Sequence, residues 1–331
     1  MERARSTLVL SRSDVLSLLD PDACIAAVES AFRAEASDGI VSAGVLGTHV
    51  DGGGFHVKAA GLVDNGAYYA AKVNANFPSN PTRHGLPTIQ GLLSLFDAST
   101  GELLAIMDSM SITALRTAAA TAVAAKYLSR QGALVVGIVG CGVQGRSQLR
   151  AISHVRPIAH VYAHDRDTRI QECFCAELSS EMSCAVEGTS DPCSLARVSD
   201  ITVTCTSSHE PLLNEGDVRP GTFVAAVGAD NGDKQEIAAG LLAKSAVVVD
   251  SLDQCAAIGD LHHAIAAGRM RREDVFASLG EIVSGRREPP DDRRPIVFDS
   301  TGTALEDVAA AIVVYERAMT RGVGYGVRLS S

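Results

Sequence analysis

The spacing of apolar positions changes along this 331-residue chain, and each change marks a different kind of element. Over residues 10–38 apolar side chains recur about every 3.6 residues behind Ser and Asp starts, which predicts helix up to a closing Gly39. From 48 to 108 the pattern becomes that of strands. THV, FHVKAAGL, YYAAKVNANF, IQGLLSLFD and LLAIMDS form a mostly antiparallel meander, the last two joined through the turn DASTGE. Residues 111–132, SITALRTAAATAVAAKYLSRQG, return to a long helix. Short apolar runs then alternate with helical stretches: ALVVGIV, VYAHD, CAVEG, ITVTC, FVAAVG and AVVVDS. That rhythm predicts a doubly wound parallel sheet. Near the end, PIVFDSTGTALEDVAAAIVVYERAMTRG reads as a strand, a Ser-Thr-Gly turn and a helix.

The expected fold class is therefore α/β. A Rossmann-type parallel sheet spans 129–299, and an α+β domain is built from 1–128 and completed by 300–331.

Composition narrows the function. The chain is 46% hydrophobic and 21% charged, as folded globular proteins are, but aromatics are only 4% and tryptophan is absent. Small aliphatic residues must fill the core. A net charge of −10 disfavours nucleic acid and anionic membrane as partners. No apolar run is long enough for a membrane span, and the N-terminus has no signal-like apolar region. Eight cysteines, at 24, 141, 173, 175, 184, 193, 205 and 255, show no metal-ligand spacing. They suit reduced thiols in a cytoplasmic protein without a metal site.

The most specific local signal is Gly140-x-Gly142-x-x-Gly145 between a strand and a helix. The first glycine permits the turn and the second lets backbone approach a pyrophosphate. The third allows close helix–strand packing, with Val143 and Gln144 at the helix start facing the phosphates. Asp165 ends the next strand, 20 residues past Gly145, where a carboxylate can accept both ribose hydroxyls. This favours NAD(H). The adjacent Arg166 leaves NADP(H) open. Thr206, just after the fourth strand, is a further cofactor-binding candidate, and His209 lies on the same edge. His84, His262 and His263 have no partner at metal-ligand spacing.

Five stretches together resemble the ornithine cyclodeaminase/mu-crystallin family: AAKVNANFPSNPTRHGLPTIQG, TGELLAIMDSMSITALRTAAATAVAAKYL, GIVGCGVQG, AVGADNGDKQEI and FDSTGTALED. They occur in the family's order and cover most of the chain. The resemblance implies a homodimer built through the first domain, with the active site between domains. It also implies hydride transfer at the α-carbon of a small amino-acid or imino-acid substrate. Lys72 and Arg116 match the family's carboxylate anchors, and Asp230 matches its proton-handling aspartate. Ser300 and Gly302 fall in the segment near the nicotinamide. Read without the resemblance, Lys72 could be a solvated strand lysine, Arg116 an exposed helix arginine, and Asp230 a helix cap.

The chain also departs from the pattern. The family's cyclodeaminases carry a further arginine near the place of Val45 or Thr48, and here no arginine lies between Arg33 and Arg83. Where those enzymes place a glutamate on the following strand, this chain offers His56 and Lys58. These sit on one strand face, either as substrate ligands or facing solvent. A more basic pocket argues against ornithine and lysine. The expected activity is that of an NAD(H)-dependent amino-acid dehydrogenase or imine reductase. An ornithine or lysine cyclodeaminase is the runner-up, and a non-enzymatic, crystallin-like nucleotide-binding protein is the third reading.

Overall fold

The computed structural model describes residues 6–36, 40–63, 67–291 and 293–329. Gly39, the expected helix stop, lies outside them. The chain forms two compact units, Met1–Arg116 with Thr303–Ser331, and Thr117–Gly302.

The first unit opens with strand β1 (Thr7–Leu10) and helices α1 (Arg12–Leu18) and α2 (Pro21–Glu35). The single helical stretch expected over 10–38 is thus a strand and two helices. The break has a local cause. Pro21 is tolerated in the first turn of a helix but not in its interior. Asp20 caps the new start by accepting the Ala23 N–H at 2.9 Å. Strands β2 (Ile40–Val50), β3 (Gly53–Leu62) and β4 (Tyr68–Asn76) follow, then helix α3 (Asn80–His84), strands β5 (Ile89–Asp97) and β6 (Leu103–Asp108), and helix α4 (Ser109–Leu128). β2 through β6 pair antiparallel in chain order, as their alternation predicts.

In the second unit the elements are β7 (Val135–Val139), α5 (Val143–Ser153), β8 (His160–His164), α6 (Thr168–Glu181), β9 (Ala185–Gly188), α7 (Pro192–Val198), β10 (Ile201–Thr204) and β11 (Phe223–Ala226). They continue with α8 (Ala239–Lys244), β12 (Ala246–Val249), α9 (Leu252–Ile258), α10 (Asp260–Ala266), β13 (Ala277–Ser278), α11 (Leu279–Val283) and β14 (Ile296–Asp299). The sheet order is β13-β12-β14-β11-β10-β7-β8-β9, and every pairing is parallel. Strands β10, β11, β12 and β14 are buried along their whole length, which explains their unbroken apolar runs. The strand order reverses between β7 and β10, and the loops leaving these two strands lie at the edge where such sheets bind ligands.

The chain then completes the first unit with α12 (Ala304–Arg321) and β15 (Tyr325–Val327). Its sheet order is β15-β1-β6-β5-β4-β3-β2. The β1–β6 pair is parallel, so the sheet is mixed. α12 packs across β3 and β4 and against α2.

Candidate functional site

In the first unit, Lys72 on β4 and Arg116 on α4 are both buried, and two adjacent acids at the start of α12 hold them. Lys72 Nζ lies 2.8 Å from Asp307 Oδ1 and 3.2 Å from Thr113 Oγ1. Arg116 donates from Nε to Asp307 Oδ1 at 2.9 Å and from Nη1 to Glu306 Oε2 at 2.7 Å. Relative exposures of 3% for Lys72 and 4% for Arg116 place neither cation in solvent. The solvated-lysine and exposed-arginine readings therefore do not hold. Burial draws Lys72 down to about 7, against the opposing pull of Asp307. Burial also works to raise Asp307, but the Lys72 and Arg116 charges outweigh it and keep the carboxyl below its usual range. The nearby Cys24 thiol is pushed up to about 12, chiefly by burial and then by Glu306.

The register of β2, β3 and β4 arranges the remaining candidates. Lys58 stands directly opposite Lys72, and His56 opposite Asn74. Directly opposed residues project from the same sheet face. His56, Lys58, Lys72 and Asn74 therefore share one face, and both His56 and Lys58 are half-buried. On β2, Val45 pairs with Lys58 and Thr48 with Phe55. Of the two positions expected to replace the family arginine, only Val45 belongs to the Lys58 face. Lys58 adds its charge to the field at Lys72 and Asp307.

In the second unit the glycine loop leaves β7. Gly140 adopts φ +103°, and a Cβ there would stand 2.9 Å from the Cys205 carbonyl. A Cβ on Gly145 would stand 2.1 Å from the Gly140 carbonyl, so helix and strand can approach only at a glycine. A Cβ on Gly142 would meet nothing within 4 Å. That open ground at the first turn of α5, beside the exposed Val143 and half-buried Gln144, fits an incoming pyrophosphate. Asp165 sits at the end of β8, where its carboxylate accepts the Cys141 N–H at 2.8 Å and the Asp167 N–H at 3.0 Å. Arg166 next to it is exposed.

Beyond β11, Asp230 is exposed and paired with Lys234 at 2.7 Å. His209 Nδ1 lies 2.9 Å from the Asp233 carbonyl, and His263 Nε2 lies 2.8 Å from that of Lys234. Both histidines thus brace the Asp230 loop. Thr206 gives its N–H and its hydroxyl to Glu236 Oε1, at 2.6 and 2.7 Å. The other Glu236 oxygen accepts the Gly228 N–H at 2.9 Å. Further buried acids clamp neighbouring loops in the same way. Asp260 Oδ1 accepts the Glu236 and Ile237 N–H groups, and Asp299 accepts those of Asp260 and Leu261. Asp250 Oδ2 accepts the Ser300 hydroxyl at 2.9 Å and the Gly302 N–H at 2.7 Å, so the Ser-Thr-Gly turn is tied from below. Burial, and then the neighbouring acid charge, raise Asp260; burial likewise brings Asp299 up to about 7.

Sequence reasoning missed Glu306, Asp307, Lys234 and Glu236. A signal for the first two did exist: paired acids in the first turn of an otherwise Ala- and Val-rich helix. Among the described residues, no group of three His, Cys, Asp or Glu side chains is placed to hold a metal. None of the eight cysteines is bridged, and among the described residues no helix is long and apolar enough to cross a membrane.

The family model for "Ornithine cyclodeaminase/mu-crystallin family" matches residues 5–322. The chain belongs to the ornithine cyclodeaminase/mu-crystallin family. It is 35% identical to an alanine dehydrogenase of Archaeoglobus fulgidus over 97% of this chain and 98% of the relative. A solved archaeal alanine dehydrogenase dimer with bound NAD superposes with a TM-score of 0.94 at 35% identity, over 98% of this chain and 100% of that one. The iminosuccinate reductase of Paracoccus denitrificans in complex with NAD+ superposes at 0.91 and 32% identity, over 98% and 99%. Membership carries the α/β architecture with it, and the family pattern now falls on residues whose surroundings are known.

Proposed function

We propose that the protein is an NAD(H)-dependent oxidoreductase acting at the α-carbon of an amino acid or its imine, as an amino-acid dehydrogenase or an imine reductase. The observation that carries this reading is the buried Lys72–Arg116 pair, held in place by Glu306 and Asp307. Burying two cations is costly unless they are paired. Here both are paired, and the charge of Lys58 acts on Lys72 and Asp307 as well, a setting that suits an anionic ligand.

NAD, when bound, exchanges a hydride at nicotinamide C4, and the residues of the second unit fit it. Gly142 leaves room for the pyrophosphate, the start of α5 faces it, and Asp165 stands ready for the ribose hydroxyls. The acid favours NAD(H) over NADP(H), because it would repel a 2′-phosphate. Thr206, Ser300 and Gly302 line the ligand edge of the sheet in conformations fixed by Glu236 and Asp250. Lys72 offers a point charge and Arg116 a planar fork to the substrate carboxylate. Asp230 takes a proton from the substrate ammonium or from water, with Lys234 holding its carboxylate until then.

The first unit also supports a homodimer. On the sheet face opposite Lys58, the row Leu46–Val57–Val73–Leu92 runs across β2 to β5. Leu46 is 64% exposed and Leu92 45%. An apolar surface of this kind marks an interaction site, and a second copy of the chain is its occupant.

An absorbance assay at the NADH band tests the activity. Amino acids are supplied with NAD+, and 2-oxo acids with ammonia or amines are supplied with NADH, while ammonia is followed in the same wells. Net NADH change is expected. Ammonia from ornithine or lysine with no net NADH change would make the protein a cyclodeaminase instead.

A further inference from the structure

We propose that Arg146 is a positioning residue for the pyrophosphate loop. Its guanidinium holds the Cys141 and Gly142 carbonyls turned away from the cofactor, so that the N–H groups of Gly142 and Val143 face it. This rests on the NAD(H) reading above and says what gives that loop its shape.

The first observation is the contact itself. Arg146 is the fourth residue of α5. Its Nη1 donates to the Cys141 carbonyl and, at 3.3 Å, to that of Gly142. A trans peptide is planar, with its C=O and N–H on opposite sides, and no cis peptide occurs among the described residues. A carbonyl drawn toward Arg146 therefore sends the next N–H the other way. Gly142 is exposed, and its N–H has no acceptor among the described residues. Glycine alone does not hold that orientation, because it tolerates both signs of φ. A Cys141–Gly142 peptide turned over would point its carbonyl at the phosphates and repel them.

The second observation is what holds Arg146. Its Nε donates to Glu177 Oε2 on α6 at 2.7 Å, and its guanidinium carbon lies 5.4 Å from the ring of the fully buried Phe174. The other Glu177 oxygen accepts from Arg150 at 2.7 Å, and Arg150 also reaches Glu181. Residues four apart on a helix are neighbours, so two arginines of α5 face two glutamates of α6 in matching rows. The guanidinium is thus fixed before a ligand arrives, which lowers the ordering cost of binding.

The third observation is on the other side of Cys141, whose N–H is held by Asp165 at 2.8 Å. Both peptide groups of this residue are fixed by side chains, one of them the candidate ribose ligand. Arg146 Nε and Nη1 are committed within the protein, as a positioning group requires.

The test measures NADH and ADP binding by calorimetry, and initial rates at varied NAD+, for the full chain and for Arg146→Met, Arg146→Lys and Glu177→Gln. Met keeps the length and the contact with Phe174 but has no donor. Arg146→Met should raise Kd for both ligands about 10- to 100-fold, the size of one lost charge-assisted hydrogen bond. KM for NAD+ should rise with it while kcat stays nearly level. Arg146→Lys should restore most of the affinity, since one donor serves the Cys141 carbonyl. Glu177→Gln loosens Arg146 and should raise Kd several-fold. Were Arg146 a direct phosphate ligand, freeing it from Glu177 would leave Kd unchanged or lower it. Binding is read well below each melting temperature, so a loss of stability alone does not move it, and if Arg146→Met does not fold, Glu177→Gln decides. Arg146→Met that binds NADH like the wild type, or Glu177→Gln that binds it as tightly or more tightly, overturns the proposal. A wild type that binds neither NADH nor ADP overturns the cofactor reading itself, and this proposal with it.

Discussion

Lys72 Nζ lies 2.7 Å from Asp307 Oδ2, an ion pair that ties a central strand of the first unit to the first turn of its last helix. Both side chains are almost fully enclosed, and Asp307 also serves Arg116. The pair therefore fixes where two cations stand, and its energetic weight lies in what breaking it would leave behind.

Asp307→Asn should show that weight directly. Removing one partner of a buried pair leaves its counter-charge uncompensated, at a cost of about 3–5 kcal/mol. The urea midpoint is expected to fall sharply, with KM for the amino acid rising as Lys72 and Arg116 lose their alignment. An unchanged midpoint would mean that the cations find other partners and that α12 does not position them.

Lys72 also predicts a pH dependence. Its folded-state value, drawn down to about 7 by burial, lies below the ordinary lysine value of 10.5. The unfolded chain therefore holds the proton more tightly, and this group's contribution to stability rises as pH climbs from about 7 towards 10.5. Carboxylate binding runs the other way, because it needs the ammonium. KM for the amino acid should rise as pH passes upward through about 7, while Lys72→Arg, which keeps its charge, should flatten that rise. A wild-type KM that stays level from pH 6 to 9 would show that Lys72 keeps its proton throughout or does not touch substrate.

Two glycines of one loop should fail in different ways. Gly142 has φ −76° and open space where a Cβ would point. Gly142→Ala should fold with a near-native melting temperature yet lose most NADH affinity, since the methyl group stands in ground left for the pyrophosphate. In Gly145→Ala the new Cβ would fall 2.1 Å from the Gly140 carbonyl, so stability itself should drop. Fluorescence titration with NADH, read beside thermal melts, separates the two. Normal NADH binding by Gly142→Ala would move the phosphate site elsewhere.

These contrasts show which parts of the molecule its sequence reveals. The glycine loop is legible because turn, close approach and packing each demand glycine at a fixed place. The parallel strands are legible because burial on both faces leaves them continuously apolar. β1 and β15 are three or four residues long, too short for a period to register, and their role depends on pairing with each other and with β6. The partners of Lys72 and Arg116 were hidden for a different reason. A buried arginine announces that it needs an anion, but Glu306 and Asp307 are about 190 residues away along the chain. Only the return of α12 across β3 and β4 brings them together. Likewise Val45 and Thr48 are equal candidates until register puts one of them opposite Lys58.

Glu236 illustrates the same limit and gives the last prediction. In the sequence it is one acid in a helix-like run. In the fold it is fully buried, and it joins two loops by accepting the Thr206 N–H and hydroxyl on one oxygen and the Gly228 N–H on the other. A Cβ on Gly228 would stand 2.5 Å from the Glu236 carboxyl carbon, so the two positions depend on each other. Glu236 should act as a positioning residue for the Asp230 loop. Glu236→Gln keeps the shape but turns an N–H toward either the Gly228 or the Thr206 donor, which leaves a buried donor unsatisfied at about 1–3 kcal/mol. If positioning is its role, kcat should fall about 10-fold or more while KM for the amino acid changes little, because Lys72 and Arg116 are untouched. The burial that raises the Glu236 carboxyl also adds a pH signature. A raised folded-state value lends stability at low pH that is lost as pH rises through it, so the wild type should lose more stability than Glu236→Gln across that rise. A variant that melts lower but keeps the wild-type kcat would reduce Glu236 to a structural staple.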